Sequence, residues 1–155
     1  MLSADKLIDM LVDIVSKKGN LLLNIGPKPD GSISELQVDR LKALGKWLSQ
    51  NGDAIYETRP WVRPSAKTDD GGEVRFTKKG DAVYAILLDK PKSAQVTIQS
   101  LLASDKMTVS LLGAAGAVQW SQQGKDLAIT LPSALPGDHA WALKMTPAPW
   151  QVVKE

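Results

Sequence analysis

The sequence predicts an α/β segment, helix–strand–helix, followed by an all-β antiparallel sandwich. Three observations carry this. The stretch Gly19 to Ile33 reads GNLLLNIGPKPDGSI and holds an apolar run, Leu21-Leu22-Leu23-Asn24-Ile25, with almost no alternation. Such a run suits a parallel strand covered on both faces. Amphipathic helical patterns flank it on either side. From Glu73 onward, short alternating runs are separated by turn residues, the texture of a sandwich.

The first helix is predicted over residues 4–18. Leu7, Ile8, Leu11, Ile14 and Val15 recur at helical spacing, Ser3 is an N-cap, and Asp5 lies near the positive end of the helix dipole. Lys17 and Lys18 fall in the last turn, and Gly19 reads as a left-handed stop. The apolar strand follows, over Leu21–Ile25. The loop Gly26-Pro27-Lys28-Pro29-Asp30-Gly31 is stiffened by two prolines and turned by Asp-Gly. A second helix is predicted from about Ser34 to Gln50. Ser34 with Gln37 has capping-box spacing, as does Ser32 with Glu35. Val38, Leu41, Leu44, Trp47 and Leu48 form its expected buried side, and Asn51-Gly52 ends it.

The segment from Ile55 to Pro64 reads as a crossing. Strands are then expected near 73–77, 82–89, 94–100, 106–112, 117–122, 125–131 and 139–146, with hairpin turns at Lys79-Gly80-Asp81 and Gln123-Gly124-Lys125. Val83, Ala85 and Leu87 alternate with Ala82, Tyr84, Ile86 and Leu88, so that strand is apolar on both sides and central. The expected division is 1–60 for the incomplete α/β part and 61–155 for the sandwich. A buried parallel strand needs neighbours, and no other segment of the chain reads as one. The expectation is therefore that these residues are the C-terminal portion of a larger protein.

Composition excludes several function classes. Of the residues, 43% are apolar, enough for a core. The 19 basic and 17 acidic residues are spread without a basic arm or acidic tail, which gives no support for nucleic-acid or anionic-membrane binding. No apolar stretch is long enough to span a bilayer. The lack of cysteine removes disulfides, thiolate metal sites and a thiol nucleophile. Met1-Leu2-Ser3-Ala4-Asp5 has no signal-peptide character, which leaves the compartment open. Asp30-Gly31 has no partner ligands at metal spacing, and no nucleotide loop is present, so neither metal nor cofactor is expected.

Several motifs resemble a known family. LIDMLVDIVSKKGNLLLNIGPKPDGSI, then NGDAIYETRPW, resemble the closing segment of the catalytic domain of α-L-fucosidases, glycoside hydrolase family 29. VRFTKKGDAVYAILLD, VSLLG, VQW and DHAWALKM resemble that family's C-terminal β-sandwich. One departure is Ser34, where members commonly carry Pro at the first turn of the final helix; Ser is an acceptable helix starter. The resemblance implies a (β/α)8-like barrel whose last strand is residues 20–25, and a retaining exo-hydrolase of terminal α-L-fucose. Its nucleophile and acid/base are carboxyl groups on earlier strands, so no catalytic residue is assigned here. The implied partners are a missing N-terminal barrel segment and fucosylated glycans, with a homo-oligomer as a further possibility.

Three residues are candidates for contact with sugar. Asn24 stands at the carboxyl end of the implied last barrel strand, the end where barrels hold active sites. Its alternative duty is to tie down the loop that follows. Trp120 and Trp150 are candidates for an exposed sugar platform, with packing as the alternative. Trp47 and Trp141 are expected in the core, Trp61 between domains, and His139 at the surface. Two other readings remain: a carbohydrate-binding sandwich without hydrolysis, and a structural module whose apolar surfaces need a partner.

Overall fold

The computed structural model describes residues 1–151. Two helices, α1 (Ala4–Ser16) and α2 (Glu35–Asn51), precede ten strands. These are β1 (Arg59–Lys67), β2 (Glu73–Lys79), β3 (Ala82–Leu87), β4 (Gln95–Ile98), β5 (Leu101–Leu102), β6 (Thr108–Leu111), β7 (Ala117–Gln123), β8 (Asp126–Thr130), β9 (Trp141–Thr146) and β10 (Trp150–Gln151). The last four residues of the expected sandwich lie outside the described residues.

Eight strands form one antiparallel sheet in the order β1-β2-β3-β9-β6-β7-β8-β4, and β5 pairs with β10. The sheet curls until its two edges meet. Thr68, just past β1, bridges Ile98 of β4, and the Asp69 N–H donates to Thr97 O at 2.9 Å. Strand β7 makes the corner, pairing with β6 through Val118 and with β8 through Trp120. Arg63 reinforces the closure. Its guanidinium donates to Ser100 O and Gln99 O, both at 2.8 Å, and lies 5.1 Å over the Phe76 ring.

The curl has an inner and an outer apolar face. Val83, Ala85 and Leu87 of β3, with Trp141, Leu143 and Met145 of β9, point into the inner core. Tyr84 and Ile86, with Ala142, point outward onto Ile8, Val12 and Trp47 of the helices. The expected central strand is confirmed: β3 is buried along its whole length between β2 and β9. Polar bonds tie the helices to the same face. Trp47 Nε1 donates to Ala140 O at 3.0 Å, and the buried Thr77 hydroxyl to Ala54 O at 2.7 Å.

The N-caps are as expected. Ser3 accepts from the Lys6 N–H and Ser34 from the Gln37 N–H. Gly80 and Gly124 take left-handed φ in the two hairpin turns. Four expectations need correction. The residues read as a crossing at 59–64 open β1; Pro60 and Pro64 are tolerated because β1 is an edge strand whose pairing to β2 is interrupted between Pro60 and Ser65. Trp61 belongs to the inner core, edge-on to Phe76 at 5.0 Å, rather than between domains. On α2 only Trp47 and Asn51 are buried, because the helix lies on the surface and its Val38–Leu41 side faces no sheet. Leu21–Ile25 is in no strand, since this chain's sheet offers it no neighbour.

Candidate functional site

The candidate site is the Gly19–Ile33 stretch, and α1 sets where it begins. The Gly19 N–H donates to Ile14 O at 2.8 Å and the Lys18 N–H to Val15 O at 3.1 Å, the paired bonds of a Schellman stop. The left-handed residue is Lys18, with φ 69°, and not Gly19. Gly19 is needed for proximity instead: a Cβ there would lie 2.6 Å from Ile14 Cγ2. The chain thus leaves α1 flush against its last turn.

The segment that follows lies across the two helices with a two-residue alternation. Leu21, Leu23 and Ile25 are half-buried, whereas Leu22, Asn24 and Gly26 are exposed. Leu22 is 95% exposed. Leu21 borders a cleft of about 630 Å³ with Leu11, Val15 and Tyr56. Leu23, Asn24 and Ile25 border a cavity of about 180 Å³ with Leu7, Gln37 and Leu41. Gln37 Oε1 is buried there without a hydrogen-bond partner among the described residues. The Arg40 side chain closes the cavity's end by donating to Leu2 O at 2.8 Å.

The loop after Gly26 holds itself. Pro27 bridges Ile33, the Lys28 N–H donates to Ser32 O at 2.7 Å, and the Gly31 N–H to Lys28 O at 2.9 Å, with Gly31 at φ 83°. The Ser32 hydroxyl and N–H both donate to Asp30 Oδ1, which holds that carboxyl below its ordinary range. Asn24 takes part in none of the side-chain hydrogen bonds found among the described residues.

The acidic residues are arranged for structure. The Lys17 ammonium, and after it Arg75, holds Asp13 below the usual carboxylate range. Lys67 and then Arg75 do the same for Glu73. Asp70 is lowered chiefly by the Thr68 hydroxyl, with the N–H groups of Lys92 and Gly72 adding to it. A glycosidase acid needs the opposite shift, since it must keep its proton near neutral pH. Among the described residues, every carboxyl with a resolved shift is lowered. No group of three His, Cys, Asp or Glu among them could hold a metal ion.

The sequence candidates stand apart. Trp120 is half-buried against the inner core, and its indole N–H is spent on Met107 O at 3.1 Å. Trp150 in β10 is 67% exposed. Among the described residues, no hydrogen bond, strand pairing or cavity joins either of them to Asn24. His139 is not the free surface residue expected: its side chain is 18% exposed, with Nε2 2.6 Å from Asp9 Oδ1 of α1. Together with Arg75–Asp13, it pins α1 to the sandwich. Asp9 and Asp13 lie four residues apart and so on one side of α1, the one signal that could have pointed to this contact.

Comparison with known proteins fits this geometry. The family profile described as α-L-fucosidase matches residues 1–53, and the one described as α-L-fucosidase C-terminal domain matches residues 69–146. An α-L-fucosidase of Branchiostoma floridae is 43% identical over 149 residues, 93% of this chain and 33% of the relative. Tissue α-L-fucosidase of Homo sapiens is 42% identical over 146 residues, 91% of this chain and 31% of the relative. The crystal structure of Thermotoga maritima α-fucosidase in complex with fucose superposes with a TM-score of 0.87 at 42% identity, covering 94% of this chain and 35% of that one. The chain thus spans about a third of the length of the relatives it matches. Helices, curled sheet and both profiles agree in order along the sequence, and the chain belongs to the α-L-fucosidase family, glycoside hydrolase family 29.

Proposed function

We propose that this chain supplies the closing helix–strand–helix of a (β/α) barrel, at residues 1–60, and the accessory sandwich, at 61–155, of a retaining exo-α-L-fucosidase. The observation that carries this is the unpaired segment Leu21–Ile25. It is a strand by composition, it lies on two helices, and its outer side is bare. Parallel strands on both sides would satisfy its backbone, and the other two thirds of a relative's length is the natural source of them.

The catalytic chemistry belongs to that other portion. Retention requires two carboxyl groups about 5–5.5 Å apart across the sugar, one as nucleophile and one as acid and then base. Asp13, Asp30, Asp70 and Glu73 are held ionised by cations or hydroxyls and suit no acid role, and the chain alone is expected to be catalytically silent. Its partners are the N-terminal barrel portion and, through the assembled enzyme, glycans ending in α-L-fucose. The test is release of the chromophore from 4-nitrophenyl α-L-fucoside. The purified chain should release none above buffer, and the chain joined to the barrel portion of the Thermotoga maritima enzyme should release it. Turnover by the isolated chain would overturn the reading.

The exposure of Trp150 favours a second reading, a glycan-binding sandwich. Titrating fucosylated glycans while following tryptophan fluorescence separates the two, and a flat response ends the binding idea.

A further inference from the structure

We propose that Asn24 is a substrate-binding residue of the assembled enzyme, carried on the inner face of a two-faced strand. This rests on the barrel reading above and deepens it. The alternation of the segment carries the argument. Leu21, Leu23 and Ile25 are half-buried on the helix side, whereas Leu22, Asn24 and Gly26 are exposed, with Asn24 also bordering the helix-lined cavity. A barrel strand alternates between the helix layer and the barrel interior. The face turned from the helices is therefore the interior face, and it reads Leu22, Asn24, Gly26 toward the carboxyl end.

That order grades from apolar to polar to empty. Leu22 sits about 7 Å below Asn24 along the strand, at the depth where a barrel is filled by packed side chains. Asn24 is one step from the mouth. Gly26, the next residue on that face, has no side chain to cover the amide. The competing duty for Asn24, anchoring the loop, is already performed by others. Asp30, Ser32 and the Pro27–Ile33 bridge hold the turn without it.

The chemistry fits a sugar. An amide offers two donors and one acceptor, and so matches a hydroxyl, which both donates and accepts. Being neutral, it binds without entering the proton transfers of the reaction.

The experiment uses the full chain joined to the Thermotoga maritima barrel portion, with 4-nitrophenyl α-L-fucoside and its monodeoxy analogues. Asn24→Ala should lower kcat/KM about tenfold, mainly through KM, the loss expected for one neutral hydrogen bond. The pH profile and the unfolding midpoint should stay in place. For the analogue lacking the contacted hydroxyl, Asn24→Ala should cost nothing further. Asn24→Ser, shorter but still polar, serves if the alanine variant misfolds, and should fall between. An active parent whose kcat/KM is indifferent to these changes, or which loses all analogues equally along with its midpoint, overturns the assignment alone. A folded but inactive parent overturns the barrel reading and the assignment together.

Discussion

Two apolar runs in this chain, Leu21–Ile25 and Ala82–Leu87, look alike on paper and differ in the fold. Ala82–Leu87 is buried from end to end, paired on one side with β2 and on the other with β9, with one face in the inner core and one under the helices. Leu21–Ile25 has helices on one side and, among the described residues, nothing on the other and no ladder. Composition marks both as strands. Whether a strand forms depends on what lies beside it, because the edge N–H and C=O groups need partners that only another strand supplies.

Hydrogen exchange gives the widest expected contrast. Amides of Val83–Leu87 should open only with global unfolding. Those of Leu21–Ile25 should exchange near the rate of an open chain, at least about a thousandfold faster. Comparable protection in the isolated chain would mean that the segment has found a strand partner, for example a second copy. Joining the barrel portion should slow exchange at 21–25 and leave 83–87 unchanged.

Substitution sharpens the same comparison. Ile86→Ala removes a buried side chain wedged between sheet and helices and should cost about 2–5 kcal/mol in urea unfolding. Leu22→Ala in the isolated chain should change stability by no more than about 0.5 kcal/mol. Leu22→Lys should leave stability alone and lower the sedimentation-measured tendency to self-associate, because it places a charge on the bare apolar face. If Leu22→Ala proves as costly as Ile86→Ala, the two runs are equivalent and the unpaired segment is misread.

The same contrast explains what was legible in the residues. The two-sided pattern of β3, the serine N-caps and the glycine hairpins depend on neighbours within a few positions, and each reads directly. Edge strand β1 was hidden by Pro60 and Pro64, which argue against a strand unless the edge is known to be free. Trp61 was misplaced for the same reason, since its side follows from β1. The His139–Asp9 contact joins residues 130 positions apart and depends on how α1 lies on the sheet, which no local pattern encodes. At the candidate site, the turn at Asp30-Gly31 was legible. The freedom of Asn24 from that loop was not, because it depended on Asp30 and Ser32 doing the anchoring.

The stop of α1 is a smaller test, at the hinge between the paired and unpaired parts. Lys18 carries left-handed φ although Gly19 is beside it. Lys18→Gly should stabilise the chain by about 0.5–1 kcal/mol, the part of the left-handed penalty left after the added freedom of glycine in the unfolded state. Gly19→Ala should destabilise, since its Cβ would meet Ile14. Reversed signs, read from thermal midpoints, would show that Gly19 is the left-handed residue after all.

The smallest expected effect is on acid stability, and its sign follows from the carboxyls that clamp α1 to the sheet. Asp13 and Glu73 share Arg75, and both are held below their ordinary values, Asp13 chiefly by Lys17 and Glu73 chiefly by Lys67. A lowered carboxyl binds protons less readily folded than unfolded. Its stabilisation is thus complete above the usual carboxylate range near pH 4 and is lost as pH falls through the folded value. Both groups remain partly open to water, so each pair is worth about 1 kcal/mol or less. Arg75→Gln should therefore lower stability slightly at pH 7 and flatten its decline between about pH 5 and 3, in urea titrations at fixed ionic strength. The α1 amides should show the change and the Leu21–Ile25 amides should not, because the latter have no protection to lose. An equal response in both would mean that docking of α1 governs the apolar segment, and that the two regions are one cooperative unit.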